Sequence, residues 1–424
     1  NDYEDDSTPA NKKNIQEMIE KYSRQNNIFL DESQKEAIIK AVINKILIIT
    51  GSPGTGKSTI LNFIIKILEE KNKKVLLGAP TGRAAKRLNE TSGKEAKTIH
   101  RMLKYNPRLN KFLKNENDPI KADAIIIDEA SMIDIKLFEN FLKAVKEDTS
   151  LILVGDVDQL PSVGPGNVLS DLIKSGIFEV IILKKIYRQE GKSLIIYNAH
   201  RIRDGQFPYI KDIKSQDFFF IEKNKPENVV NLILNLITDK IPSKFNYDPL
   251  HDIQVLVPTN KGTVGVSNLN KEIQDCLNDN KLKISSGQYE YRLGDKVIQL
   301  KNDYEKDVYN GDIGFITSIN LADKELLVDY DGRKVLYNFY ELDEISLSYS
   351  ISIHKSQGSE FNCAIIPILT SHYILLQRNL LYTAITRAKE LAILVGSKKA
   401  LGIAVNRNIV QDRYTGLKNM LSRY

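Results

Sequence analysis

The hydrophobic pattern divides the chain into two stretches of alternating strand and helix, the second broken by a segment of different period. In the first stretch, continuous apolar runs at 46–49, 75–79, 124–127, 151–154 and 180–183 read as buried strands. Between them apolar residues recur at helical spacing, as over 60–69 and at Ala37, Ile38, Ala41 and Val42. Strand and helix in regular succession predict a parallel sheet covered on both faces. A second set begins near residue 186. It has a helical period over 228–237, a strand at 253–257, a helix over 266–277, strands at 364–368 and 391–395, and a helix through LLYTAITRAKE. Within this set, short alternating runs at 295–300, 313–319, 325–330 and 334–339 are punctuated by Asn310-Gly311-Asp312 and Asp331-Gly332. They predict a small antiparallel β-barrel inserted at 287–346. Residues 105–121 break the rhythm of the first set with polar residues and turn signals, and read as an inserted hairpin or loop. The expected organisation is a helical or linker segment at 1–30 and a first lobe at 31–184 with an insertion at 104–122. The second lobe covers 185–286 and 347–424, and the barrel lies within it.

One stretch carries specific chemistry. GSPGTGKST, residues 51–59, follows the first buried strand and opens a helix. That context turns the pattern G-x-x-x-x-G-K-[ST] into a phosphate-binding loop. Glycines such as Gly54 and Gly56 let backbone N–H groups, including that of Thr55, close around an anion. The helix N-terminus at Thr59 adds partial positive charge. Lys57 can reach the β- and γ-phosphates, and Ser58 can ligate Mg²⁺. The third strand ends in Asp128-Glu129, the acidic pair such a loop needs. Asp128 can hold Mg²⁺ and Glu129 can orient and deprotonate the attacking water. Gln159 follows the fourth strand and can sense a γ-phosphate through a neutral donor. Arg188 is a candidate arginine finger, and Tyr187 can stack on a base. Gln34, at the start of a helix capped by Asp31 or Ser33, can read an adenine edge, though a surface glutamine fits that position as well. Pro80, Thr81, Gly82 and Arg83 lie where a strand ends and a helix begins, an edge that suits a backbone phosphate of a nucleic acid. Thr98 and His100 repeat the theme. Ser352, His354, Gly358 and Glu360 crowd one turn of the second set, and Arg387 is a second candidate finger.

Composition adds bounds rather than identity. A chain of 424 residues exceeds one ordinary core. No apolar run approaches the length that spans a bilayer, and NDYEDD is unlike a signal peptide, so no membrane partner is expected. The two cysteines, Cys276 and Cys363, lack metal spacing and read as buried thiols in a reducing, cytoplasmic setting. A net charge of +6 is compatible with a polyanionic partner, and equally with a solvated lysine-rich surface. The start without methionine suggests a piece of something longer.

The succession FLDESQKEAI, GSPGTGKST, APTGRAAKRL, TIHRML, IIIDEASM, GDVDQLPSVGPG, IYRQ, SISIHKSQGSEF and YTAITRAK resembles the group B helicases of superfamily 1, and within them the RecD-like family. The resemblance runs from about residue 30 to 395. It implies two RecA-like P-loop NTPase lobes, ATP and Mg²⁺ as cofactors, and 5′→3′ movement on single-stranded or tailed duplex DNA, with other repair proteins as partners. It implies that Gln34 reads adenine, that Arg188 and Arg387 are fingers, and that Gly358 and Glu360 lie on the nucleotide side. Thr81, Arg83, Thr98, His100, Ser352 and His354 would contact the strand. The insertion at 104–122 falls where the family places a strand-separating pin. Two other readings remain at this point: a nucleotide-gated clamp that does not unwind, and the helicase part of a conjugative relaxase or mobile-element protein.

Overall fold

The computed structural model describes residues 8–185, 187, 193–210, 216–287, 289–303, 305–408, 413 and 416–423. They form two compact units, 1–192 with 411–424, and 193–410. Among them no helix is long and apolar enough to cross a membrane.

The first unit is built on strands β1 (Ile46–Gly51), β2 (Val75–Ala79), β3 (Ala96–Thr98), β6 (Ala124–Ile127), β7 (Ser150–Gly155) and β8 (Glu179–Leu183). A short antiparallel pair, β4 (Tyr105–Asn106) and β5 (Lys111–Phe112), lies between β3 and β6 in sequence. The six-stranded sheet is parallel throughout, in the order β3-β2-β6-β7-β1-β8. Its residues alternate between two apolar clusters. Leu47, Ile49 and Ile126 face the helices Glu32–Ile43 and Lys57–Glu70, while Ile48, Ile125 and Ile127 face the helices Ile135–Ala144 and Val168–Ser175. Burial on both faces is why these strands read as unbroken apolar runs. The N-terminal helix Pro9–Asn26 is not a bare linker, because Ile15, Ile19 and Tyr22 are buried in the same cluster as Phe63.

The C-terminal residues depart from the expected second-lobe assignment, since 411–424 group with the first unit. Leu417 and Leu421 pack against the cluster that holds Val168, Leu169 and Leu172. One guanidinium nitrogen of Arg413 donates to the carbonyl oxygens of Ser162, Gly164 and Gly166 at 2.5, 2.9 and 3.0 Å. Three converging carbonyls make a nest for a cation, and a tethered guanidinium fills it.

The second unit has a parallel sheet of β9 (Phe218–Glu222), β10 (Ile253–Val257), β18 (Ser350–Ser352), β19 (Phe361–Ile368) and β20 (Ala388–Gly396), in the order β18-β10-β19-β20-β9. Between β10 and β18 lie a hairpin, β11 (Lys283–Ser286) with β12 (Tyr289–Arg292), and an antiparallel sheet of five strands. These are β13 (Lys296–Gln299), β14 (Ile313–Asn320), β15 (Glu325–Tyr330), β16 (Arg333–Asn338) and β17 (Ile345–Leu347), with β16 and β17 at its edges. The antiparallel region therefore begins before residue 287. Its apolar face joins Val255, Ile365 and Ile393 of the parallel sheet in one continuous cluster. Tyr291, Tyr330 and Tyr337 are core residues here, and the Tyr330 and Tyr337 hydroxyls share the Gln299 side-chain oxygen at 3.3 and 2.7 Å.

Two local expectations change. The helix through LLYTAITRAKE stops at Thr386, and Ala388 begins β20, because pairing with β19 outweighs the helix preference of Ala-Lys-Glu. Cys363 is buried on β19, but Cys276 is exposed on the outer face of the helix Val266–Leu277.

A buried carboxylate ties the antiparallel region to that helix. Asp295 accepts from the Gln274 and Asn278 amides and the Arg292 N–H, each at 2.6 Å, and from the Tyr349 hydroxyl at 2.8 Å. Burial pushes its carboxyl above the ordinary range, and the four donors offset only part of that. Asp295→Asn would set an amide N–H₂ against donors. The expected cost is about 2–4 kcal/mol, a fall of roughly 5–12 °C in Tm for a unit of this size. An unchanged melting curve would show that the carboxylate organises nothing.

Candidate nucleotide and strand site

The parallel register gathers the expected chemistry at one edge. Ile48, Leu153 and Ile127 stand in one row across β1, β7 and β6, so the phosphate loop, Asp156 and Asp128 all leave the same end of the sheet. That carboxyl edge is where open α/β sheets bind ligands.

The loop has the backbone that its glycines permit. Gly54 and Gly56 have φ of 82° and 83°, and Gly56 caps the helix Lys57–Glu70 without a side-chain acceptor. The first-turn N–H groups of such a helix suit an anion. Ser58 and Thr59 lie in that first turn, half-buried. The Lys57 ammonium donates to the carbonyls of Gly51 and Ser52 at 2.6 and 3.1 Å, so it is already aimed over the loop.

Two residues bracket the loop from the side. Asp31, not Ser33, caps the helix Glu32–Ile43, in a reciprocal capping box with Gln34. The Gln34 amide then donates to the Thr55 carbonyl at 3.2 Å, and a Cβ at Gly56 would stand 2.4 Å from that nitrogen. Gln34 is 3% exposed. Each end of its amide has one bond made and one more available, as a base reader requires. The Tyr187 backbone N–H donates to the Gly54 carbonyl at 2.9 Å, and its ring carries Lys185 5.1 Å from the centroid. Burial and the Asp31 carboxylate push the Tyr187 phenol up to about 12. Arg188 lies outside the described residues.

Asp128 is half-buried at the end of β6. Burial, then the Glu129 charge, push its carboxyl up to about 6, while Lys57 and Arg87 act in the opposite direction. Its oxygen accepts from the Glu129 N–H at 2.8 Å. Glu129 has φ 51°, a left-handed backbone that a non-glycine residue seldom adopts. Arg87, on the helix Gly82–Ser92, is a cation beside the acidic pair that the motif reading did not single out. Gln159 is buried, and its amide donates to Asp156 at 3.1 Å.

The expected strand contacts share one device. Thr81 caps the helix Gly82–Ser92, Thr98 caps the helix Ile99–Met102 and Ser352 caps the turn Ile353–Ser356. Each hydroxyl accepts a backbone N–H, at 3.3, 3.1 and 3.3 Å, and its own O–H can still donate. Pro80 and Arg83 are half-buried around the first cap, and Gly82 is buried in its first turn. His100 is placed differently. Its ring packs 5.8 and 5.6 Å from Tyr105 and Phe112, at the foot of the β4–β5 pair, and burial holds its imidazole below the ordinary range.

In the second unit, Gly358 turns with φ 72°, and His354 and Glu360 are half-buried beside it. Arg387 is 2% exposed and engaged within its own unit, where its guanidinium donates to the Ser359 carbonyl at 3.1 Å, between Gly358 and Glu360.

Three family models match consecutive parts of the chain: an AAA domain over 34–165, the SH3 domain of ATP-dependent RecD-like DNA helicases over 269–330, and a UvrD-like helicase C-terminal domain over 347–395. The chain is 35% identical over 378 residues to the ATP-dependent RecD2 DNA helicase of Deinococcus radiodurans. The chain is similar to RecD-like helicases over about nine-tenths of its length. The match covers 89% of this chain and 50% of that relative, so the chain spans about half the relative's length. The RecBCD enzyme subunit RecD of Mycolicibacterium smegmatis is 27% identical over 425 residues, covering 92% of this chain and 75% of its own. Two Pif1 helicase crystal structures share the two-lobe fold at a TM-score of 0.55. One, from Bacteroides, is 19% identical and covers 93% and 98% of the two chains; the other, from Candida albicans, is 21% identical and covers 93% and 100%.

Asp128 supplies a test of the site's electrostatics. Its folded pKa stands above the unfolded value, so its charge opposes folding fully above about pH 6. That opposition is relieved as pH falls toward about 4. Nucleotide-free Asp128→Asn should therefore be more stable than the parent by about 2–3 kcal/mol at pH 7.5. Thermal melts at pH 7.5 and 4.5 should show the gain shrinking, and a gain that is equal at both values would contradict this account.

Proposed function

We propose that this RecD-like chain is an ATP-hydrolysing motor that travels 5′→3′ on single-stranded DNA and separates duplex ahead of it, in DNA repair or recombination. The observation that carries the reading is the acidic pair within the field of the loop lysine: Asp128 feels Lys57, and Glu129 follows it on a left-handed bend. A phosphate loop alone binds nucleotide, whereas a loop faced by a metal-holding acid and a base hydrolyses it.

Ser58 and Asp128 would hold Mg²⁺. The donor set fits, because a carboxylate whose charge is opposed by burial gains most from a cation, and Mg²⁺ typically takes one or two protein oxygens with the phosphates. The ion would offset charge on the transferred phosphoryl. Lys57 would cradle the β- and γ-phosphates. Glu129 would take the proton of the attacking water, and Gln159, oriented by Asp156, would report the γ-phosphate. Gln34 and Tyr187 would seat the base. Arg387 would hold the turn that presents Gly358 and Glu360, and Arg188 would supply charge from its own segment. The capping hydroxyls of Thr81, Thr98 and Ser352, with Arg83 and His354, would grip phosphates and so bind DNA with little regard for sequence. His100 would act through the β4–β5 pair that its ring supports, and that pair would part the strands.

Glu129→Gln should bind ATP as the parent does and lose DNA-stimulated hydrolysis by about 10²-fold or more, within the range of general-base contributions. Unwinding of matched 5′-tailed and 3′-tailed duplexes, in DNA and RNA, checks polarity and substrate. Release of the 5′-tailed DNA alone is expected. ATP-dependent binding of that substrate without strand release would replace the motor with a clamp.

A further inference from the structure

A cavity of about 290 Å³ lies beside the β4–β5 pair, away from the phosphate loop. Its floor is apolar, with Leu77, Met102 and Ile120. Its rim is cationic: Lys97, Arg101, Lys104, Lys114 and Lys121 line it, against Glu95 as the single acid. Lys97 is matched to Glu95 at 3.2 Å. Lys114 is committed to the structure, donating to Asp118 at 2.7 Å and to the Pro119 carbonyl at 3.4 Å. Lys104 and Lys121 are exposed, and both add their fields at the same Asp118 carboxylate. Three lysines thus converge on one anion at the protein surface. Their arrangement follows from the hairpin. Leu113 N–H bonds back to Leu103 and Lys104, and Lys114 N–H to Leu103, so closing the pair brings residues 103–104 and 113–114 together. Ile120 N–H bonds to the Ala144 carbonyl, which fixes Lys121 next to them.

The cavity is not part of the strand-end edge. It is lined by Leu76 and Leu77 of β2 and by Lys97 of β3, one to three residues short of the Ala79–Thr98 row where the capped hydroxyls stand. A strand held at those caps would not need it. We propose that this basic cavity binds the phosphodiester backbone of the DNA duplex at the flank of the hairpin, and so places the junction against it. At this volume the cavity holds a single backbone unit, not a stacked pair, so it positions the duplex without reading its sequence. The proposal rests on the motor reading for its purpose but not for its test.

Lys104 has φ 50°, where asparagine is tolerated, so the test uses Lys104→Asn with Lys121→Gln. Fluorescence anisotropy would compare a 5′-tailed duplex with a single strand of the tail's sequence, each across a salt series. The expected result for the double variant is roughly tenfold weaker binding of the tailed duplex, with the slope of log K against log salt reduced by about 1.8, at ~0.9 per lost phosphate contact. Single-strand affinity and single-strand-stimulated hydrolysis should stay within about twofold of the parent's, the scatter usual for surface substitutions. Equal loss on both substrates would assign the lysines to the strand track, and no loss on the duplex would make them a solvated face; either result overturns the proposal. Failure of the parent chain to hydrolyse ATP on single strands would instead remove the motor reading, and the binding comparison would still decide the cavity.

Discussion

The site depends on a charge held where the protein alone disfavours it. Burial and the neighbouring Glu129 carboxylate both oppose the Asp128 charge, and the Glu129 backbone N–H, Lys57 and Arg87 offset part of that. A cation held beside that carboxylate, as the proposed function requires, would relieve the conflict. Glu129 adds a second form of opposition, a left-handed backbone bend. The β6 strand beneath is buried on both faces and paired on both sides, and that rigidity lets one turn hold both kinds of strain.

A similar economy appears at three capped turns. A threonine or serine that caps the turn after a strand is fixed by the N–H it accepts, and its own O–H can still donate. Thr81, Thr98 and Ser352 repeat this arrangement in two separately folded units. Under the proposed function, grip on a polyanion would be built into these turn starts. Rearranging such a cap means unwinding a turn.

Much of this was readable before any coordinates. β1, β2, β6 and β7 are covered on both faces, so their residues form continuous apolar runs that could hardly be anything else. Gly54 and Gly56 announced their backbone because a loop closing on phosphate needs φ values that other residues resist. Other features left weaker marks. β3 and β18 have three residues each, too few to show a period, and β9 is an edge strand of mostly half-buried residues. Ala-Lys-Glu favours helix locally, and only the β19 ladder makes it strand. His100 illustrates a deeper limit. Its place in a motif suggested a ligand contact, but the neighbours that enclose it, Tyr105 and Phe112, come from an insertion whose folding back is a tertiary event. Arg87 was hidden for the same reason, since nothing in its helix shows that it faces an acid 41 positions away.

The Arg413 clamp and the short helix behind it bear on how the molecule can be divided. The first unit is completed by residues that arrive only after the whole second unit has been made, so during synthesis it must wait with a patch of Val168, Leu169 and Leu172 uncovered and a ring of carbonyls unfilled. A chain cut near residue 410 would keep that patch bare permanently, and sticky surface of this kind promotes self-association. What looks like a dispensable tail is the lid on a core finished more than two hundred residues earlier.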